Sequence, residues 1–516
     1  MSNSPITKEI SQGHSVRLKV KAGLDKACDA VRPTLGPIGM TALIEYPGLD
    51  PIECDDGVTI LKNIELKDHY ENMGVQMLRK GALRTSIEGG DGTATTTVLT
   101  QALVQEAFKE IANDSSRIRE VRERLTQGLA ETLEELSKLK RDVKMEDIED
   151  IANISSLDRE VSTLISEVIQ DVGPSGVVTV EKGSKLGYSK EVVKGAKFDK
   201  GLISPFFVND RATQSTILND VYIVLVDRKL STNEQILSLL NSIGTGKDIL
   251  FIADDVDSVA LGTLAHNAIN KIANIACVRN PYSASRARDF LFDIAALTGG
   301  TVISEERGMK LDTATKELCG RAEKVVVGRD STMIIGGKSS DVLNERIASI
   351  KSSIEETTSE YEKLQLNERL ASLTGGIGVI RVGAYTDVEF NAKKYKFQNA
   401  INATQAALQE GIIAGGGTSL AQIQIEEPMF KKALSAPIRQ MAMNAGMDWH
   451  EVVSQVRGFN TGTGIDFGNK AVRNMFEAGI IDPYKVTRIA LESATAIASS
   501  LIGMETCIVV EPNEEK

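Results

Sequence analysis

Five cysteines are all the chain carries: Cys28, Cys54, Cys277, Cys319 and Cys507, an odd number, far apart and without a CxxC pair. That scarcity excludes a disulfide framework and a clustered zinc site, and reads as reduced, buried thiols. Histidine is scarcer still, and His14, His69, His266 and His450 are scattered with no i, i+4 pair, so neither a zinc-hydrolase nor a Ser-His-Asp pattern is present. Basic charge is also short. Lys and Arg number 59 against 71 Asp and Glu, a net charge of -12, whereas nucleic acid or an anionic membrane calls for excess cations. The start, Met1 to Ile10, contains Lys8 and Glu9 and lacks a signal-peptide core. The one membrane-like stretch, Ile489 to Val510, is interrupted by Glu492 and Glu505 and suits a buried core helix. The expectation is a cytoplasmic protein whose partners are neither nucleic acid nor membrane.

What is present is ordinary globular material, 42% apolar and 25% charged, in a chain of 516 residues, long enough for two to four domains. From Val221 to Val278 apolar runs and helical periods alternate: strands at Val221–Val226, Ile249–Ala253 and Ile275–Val278, helices at Asn233–Ile243 and Ser258–Ile272. This predicts a βαβαβ module with a parallel sheet. A long helix over Ser339–Leu373, stopped by Gly375 and Gly376, follows it. Helical periods at Val98–Ile111, Ile118–Leu139, Gln398–Gln409 and Thr418–Ile425 make both outer quarters helix-rich. A helical first quarter, an α/β centre and a helical last quarter predict a nested arrangement in which the ends co-fold, with Gly195 and Gly383 as candidate hinges. Glu511–Lys516 reads as a short charged tail.

Gly89-Gly-Asp-Gly-Thr-Ala-Thr-Thr-Thr97 leads straight into an apolar helix, offering flexible backbone N–H groups and hydroxyls at a positive helix end. That suits a phosphate, and Asp91 within it suits a magnesium ion bridging phosphates. Gly415-Gly-Gly417 precedes another helix, and Asp56-Gly57 adds a third turn. Each run alone reads first as a tight turn between helices. Two other look-alikes fail: Gly336-Gly-Lys-Ser339 has Thr332 where a P-loop needs glycine, and Gly462-Thr-Gly464 is followed by Gly468, one residue late for a dinucleotide fingerprint.

Taken together with Thr34-Leu-Gly-Pro37, Glu71-Asn-Met-Gly74, Thr298-Gly-Gly-Thr-Val-Ile-Ser-Glu305 and Asp482-Pro483, these motifs stand in the order in which chaperonins carry them. From Val31 to Val510 the chain resembles the GroEL-type (group I) members of the 60 kDa chaperonin family, as a divergent member. The resemblance implies an α+β multidomain fold with a mostly helical equatorial ATP-binding domain (1–137 and 411–516), a small intermediate domain (138–194 and 378–410) and an α/β apical domain (195–377). It implies ATP and Mg2+ as ligands, non-native proteins and a GroES-like co-chaperonin as partners, and a homo-oligomeric ring of seven subunits.

By the same resemblance Thr34, Leu35, Gly36 and Pro37 contact nucleotide and phosphate, Asp91 holds the magnesium, and Gly92, Thr93, Ala94 and Thr95 line the phosphate oxygens. Gly416 lies beside the nucleoside, Asp482 bonds the ribose, and Asp466, Phe467 and Gly468 flank the adenine. Leu202, Phe206, Phe207, Leu237, Leu240, Leu261, Ala265 and His266 are the client-contacting positions; spacing alone leaves Leu237 and Leu240 equally readable as helix core.

The chain departs from the family where its hydrolysis depends on an aspartate over the γ-phosphate, because that position is Asn399. An amide can orient water but cannot take a proton at neutral pH, so a general-base contribution of roughly 10²–10⁴-fold is at stake. Asp56, the second acid of the family pocket, is retained as a partial substitute. Asp55 replaces a lysine, Ala94 a threonine and Ile38 another lysine, so the family's K+ stays an open third cofactor. The expected activity is a slow chaperonin ATPase that assists folding; the alternative is a nucleotide-switched ring that holds clients with little hydrolysis. A metabolic enzyme built on the βαβαβ centre would have only Asp254 and Asp255 at the strand ends to work with.

Overall fold

The structure, a computed structural model, describes residues 8–46, 50–111, 114–173, 176–183, 186–211, 213–282, 284–337, 341–357, 359, 362, 366, 369, 370 and 372–510. The chain divides into two compact units, one made of residues 1–166 and 391–516 and the other of residues 167–390. The segments 138–194 and 378–410 each contribute to both.

The first unit is helical. Helices His14–Val31, His69–Gly89, Thr93–Ile111, Ile118–Lys138 and Tyr484–Gly503 surround one core that includes Leu24, Leu78, Leu103, Leu125, Ala494 and Leu501. Two of them meet backbone to backbone. A Cβ on Gly23 would lie 1.8 Å from the Glu71 carbonyl oxygen, and one on Gly74 would lie 2.0 Å from that of Val20, so only glycine permits this crossing. The N-terminal strand Lys8–Gln12 pairs antiparallel with Thr506–Val510, joining segments about 500 residues apart. That pairing corrects the expectation of one core helix to Val510: the helix ends at Gly503, and Thr506–Val510 alternates exposed and buried residues as a strand does. The helix itself is buried through Ile489, Leu491, Ala498 and Ile502, and no described helix is long and apolar enough to cross a membrane.

In the second unit nine described strands form one mixed sheet. Its centre is the βαβαβ module: Thr216–Leu230, Asp248–Val256 and Asn274–Arg279 run parallel, with Val224 opposite Phe251 and Phe251 opposite Cys277. Both faces are buried, hence the uninterrupted apolar runs. Val224, Val226, Phe251 and Ile275 pack under the helices Asn233–Ile243 and Ser258–Ile269, while Ile223, Leu225, Ile252 and Val278 face Leu291 and Ile294 of Ala284–Thr298 and Leu343 and Ile350 of Asp341–Glu356. Antiparallel strands Gly320–Val327, Thr332–Gly337 and Gly187–Phe198 extend the sheet to Gly376–Gly383, which pairs parallel with Val177–Lys182. Gly195 is in mid-strand, where a Cβ would come within 2.4 Å of the Ile334 carbonyl oxygen; close packing accounts for it. Of the helix expected over Ser339–Leu373, Asp341–Glu356 is described, and much of its second half lies outside the described residues, as do Lys338, Ser339 and the tail Glu511–Lys516.

Candidate nucleotide-binding site

Within the first unit, three glycine turns are held by their neighbours. Thr34–Pro37 leaves a short 3-10 turn, Arg32–Thr34, and Gly36 has φ 91°. The Asn444 side-chain amide donates to the carbonyls of Arg32 (3.2 Å), Pro33 (3.3 Å) and Leu35 (2.9 Å), and so fixes the turn to the end of the helix Ala436–Asn444. One turn back, Met441 reaches two glycines: its Cγ lies 2.8 Å from where a Cβ on Gly36 would sit, and its Cε 3.1 Å from that of Gly417. Thr34–Pro37 and Gly415–Gly417 are thereby brought to one place.

The second turn links two helices. Gly90 (φ 85°) ends His69–Gly89, Asp91 follows, and Gly92 (φ 86°) precedes Thr93–Ile111. The first intrahelical backbone bond runs from the Thr96 N–H to the Gly92 carbonyl, so the N–H groups of Thr93, Ala94 and Thr95 are first-turn donors free for an anion. Asp56-Gly57 lies against the same helix start, a Cβ on Gly57 meeting the Thr93 methyl at 3.1 Å. The Asp56 Oδ2 accepts from the Thr59 N–H (2.9 Å) and hydroxyl (2.6 Å), capping Gly57–Asn63.

Asp482 enters on the strand Ile481–Pro483, paired with Ile412–Ala414 so that Ile413 faces it. Its Oδ1 is 2.9 Å from the Cβ position of Gly415. Burial, and then the negative charge of Asp91, push the Asp482 carboxyl up to about 7. Asp91 is raised as well, by burial first; the Gly92 N–H bond (2.6 Å) and Ser155 pull it back and Asp56 adds repulsion. Two buried acids, Asp91 and Asp482, whose charge is disfavoured by burial and by a nearby carboxylate, form a setting a hard divalent cation relieves. No three His, Cys, Asp or Glu side chains among the described residues are grouped to hold a metal by themselves, so a magnesium ion held by Asp91 would need its other oxygen ligands from a bound molecule or water.

Asn399 lies on the helix Asp387–Glu410, half-buried and without a hydrogen-bond partner among the described residues. Sequence periodicity starts this helix at Gln398; the polar stretch before it, with exposed Tyr395 and Lys396, hides its true start at Asp387. The next turn of the helix, Asn402 and Ala403, packs on Gly90. No glycine or charge marks Ser155, at the end of Asp147–Ser156, in the sequence.

The third expected segment behaves differently. Both Asp466 oxygens are engaged, Oδ1 by the N–H groups of Gly468 (3.0 Å) and Asn469 (3.2 Å), Oδ2 by the Asn469 side chain (2.7 Å) and Arg473 (3.7 Å). Burial would raise this carboxyl, but those bonds outweigh it and hold it below the usual range. Phe467 is 2% exposed and belongs to the core around Ile438 and Met441. The exposed backbone at Gly468 is what this segment can offer a ligand.

Residues 28–512 match the model of the TCP-1/cpn60 chaperonin family. The chain belongs to that family. A solved structure, the chaperonin gp146 from bacteriophage EL 2 (Pseudomonas aeruginosa) crystallised in the presence of ATP-BeFx, is similar over 98% of this chain and 99% of that one, with a TM-score of 0.69 at 19% identity. The likeness is one of fold.

In this chaperonin the second unit carries an apolar surface. Phe206, in the 3-10 turn Pro205–Phe207, is 64% exposed, and Leu237 of Asn233–Ile243 is 44% exposed. Val259 and Ile269 of Ser258–Ile269 are exposed too, though neither was marked by sequence. The Thr263 hydroxyl donates to the Asn233 side chain (2.6 Å), tying the two helices together. Leu202, Leu240 and Leu261 are half-buried and His266 is exposed beside Asn270. Phe207 and Ala265 are buried in the core beneath. At the carboxyl end of Asp248–Val256, Asp255 is paired with Arg279 (2.7 Å) and Lys229 (3.7 Å), and Asp254 accepts from the Asn280 side chain (3.4 Å).

Proposed function

We propose that this chaperonin is a GroEL-type, ATP-dependent folding machine: the first unit binds Mg-ATP, and the second captures non-native proteins through Phe206, Leu237, Leu240 and Leu261. The observation that carries this reading is the convergence of Thr34–Pro37, Gly90–Thr95 and Gly415–Gly417 with Asp91 and Asp482 in one unit built from both ends of the chain. Free N–H groups at the start of Thr93–Ile111 bind phosphate oxygens, Asp91 holds the magnesium, Asp482 meets the ribose and Gly416 allows the nucleoside close to the backbone. The phage chaperonin crystallised with ATP-BeFx supports a nucleotide as the ligand. Division into equatorial (1–137, 411–516), intermediate (138–194, 378–410) and apical (195–377) domains, a seven-membered ring and a GroES-like lid belong to the same proposal.

Asn399 favours a second reading, a ring that switches on nucleotide binding and hydrolyses little. Its amide can orient an attacking water through its carbonyl oxygen but cannot accept the proton, and Asp56 has one oxygen committed to Thr59. Phosphate release from Mg-ATP by the assembled protein and by Asn399→Asp separates the two. Slow wild-type turnover raised at least about tenfold by the aspartate supports a hydrolytic site with a weakened base. Fast wild-type turnover unchanged by the substitution refutes that role for Asn399, and no nucleotide binding by either protein refutes the site.

A further inference from the structure

The helix Ala436–Asn444 turns one face to two of the glycine turns. Ile438, Met441 and Asn444 recur every three residues along it, a spacing that sets side chains beside one another on a helix. The Ile438 nitrogen lies 2.9 Å from the Cβ position of Gly417, and Met441 reaches the Cβ positions of Gly417 and Gly36 alike. Those contacts fill space. Asn444 makes the polar one: its Nδ2 stands 2.9 Å from the Leu35 carbonyl oxygen, 3.2 Å from that of Arg32 and 3.3 Å from that of Pro33. Its Oδ1 is already engaged, accepting from the Gln440 Nε2 at 2.8 Å, so the amide presents its N–H groups to the turn and not its oxygen. Gln440, one helical turn back, is buried and makes no hydrogen bond to the turn itself among the described residues.

We propose that Asn444 is a positioning residue for nucleotide binding, oriented by Gln440: its amide holds the carbonyls of Arg32, Pro33 and Leu35 and so keeps Thr34–Pro37 in the form that receives the nucleotide. The inference rests on the nucleotide reading above. A turn serves an anion when its N–H groups are free to face the ligand and its carbonyl oxygens, which repel negative charge, are engaged elsewhere. One amide engages three of them. A leucine at position 444 would fill similar space and leave those oxygens without their donor.

Isothermal titration of the assembled, full-length protein with ADP in the presence of Mg2+ reads the effect. Asn444→Leu raises the ADP dissociation constant by about tenfold, and Gln440→Leu raises it less, in the same direction. The double variant binds ADP no more weakly than Asn444→Leu alone, because Gln440 acts through the amide. In phosphate release from Mg-ATP, KM rises while kcat holds, the mark of lost binding and not of lost chemistry; a residue that only stabilised the fold would lower the melting temperature and leave KM where it was. Parental ADP affinity in Asn444→Leu, with binding lost in Asp91→Asn, overturns the proposal and leaves the site intact, as does a fall in kcat at unchanged KM. Where Asn444→Leu does not assemble, Gln440→Leu decides, and parental affinity there overturns the proposal. Parental affinity in Asp91→Asn, or no ADP binding by the parent, overturns the nucleotide reading and the role of Asn444 with it.

Discussion

Asn402 stands so close to Gly90 that a Cβ added at Gly90 would lie 2.2 Å from the Asn402 Cβ and 2.8 Å from the Ala403 nitrogen. The helix bearing Asn399 and the loop bearing Asp91 are therefore one packed assembly, and their register depends on a residue without a side chain. Gly90 also has φ 85°, a left-handed conformation costly for any other residue.

Gly90→Ala is expected to destabilise the first unit by about 2–4 kcal/mol, combining left-handed strain with overpacking. Denaturant unfolding followed by tryptophan fluorescence reads it, Trp449 being in that unit. A parental midpoint with normal ADP binding would mean that the helix can move away from the loop at little cost.

The pH dependence of stability should carry the mark of Asp482. Its carboxyl is pushed up to about 7 in the folded protein against about 3.9 in an unfolded chain. Between those values the folded state holds a proton that the unfolded state has released, so stability falls as pH rises through that window. Thermal midpoints of the nucleotide-free protein should drop from pH 5 to pH 7.5. Asp482→Asn should flatten the slope and raise the midpoint at pH 7.5 by about 2–4 °C; an unchanged slope would remove Asp482 as its source.

Phe206 and Leu237 are exposed, so truncating them removes little buried area. Phe206→Ser and Leu237→Ser should each change stability by less than about 0.5 kcal/mol while sharply reducing suppression of aggregation of a chemically unfolded protein. Phe207→Ser, at a buried neighbour, should instead cost about 3 kcal/mol or more. Equal client binding by all three would relocate the capture surface.

Sequence alone determined what depends on neighbours along the chain. Apolar period placed Val221–Val278 as βαβαβ, glycine spacing located the loops at Gly90, Gly36 and Gly416, and the motif order pointed to a chaperonin. The antiparallel strands Gly320–Val327 and Thr332–Gly337 and the terminal pairing of Ile10 with Ile508 were not legible, because short strands acquire identity only from partners far away in sequence. Tertiary structure alone decided which site side chains are available. Asp466 spends its oxygens on Asn469 and Gly468, Phe467 and Phe207 turn into cores, and Asn444 clamps a turn about 410 residues earlier in the chain. Burial and hydrogen-bond satisfaction are properties of the packed assembly, set by what comes to lie beside a residue and not by what precedes or follows it.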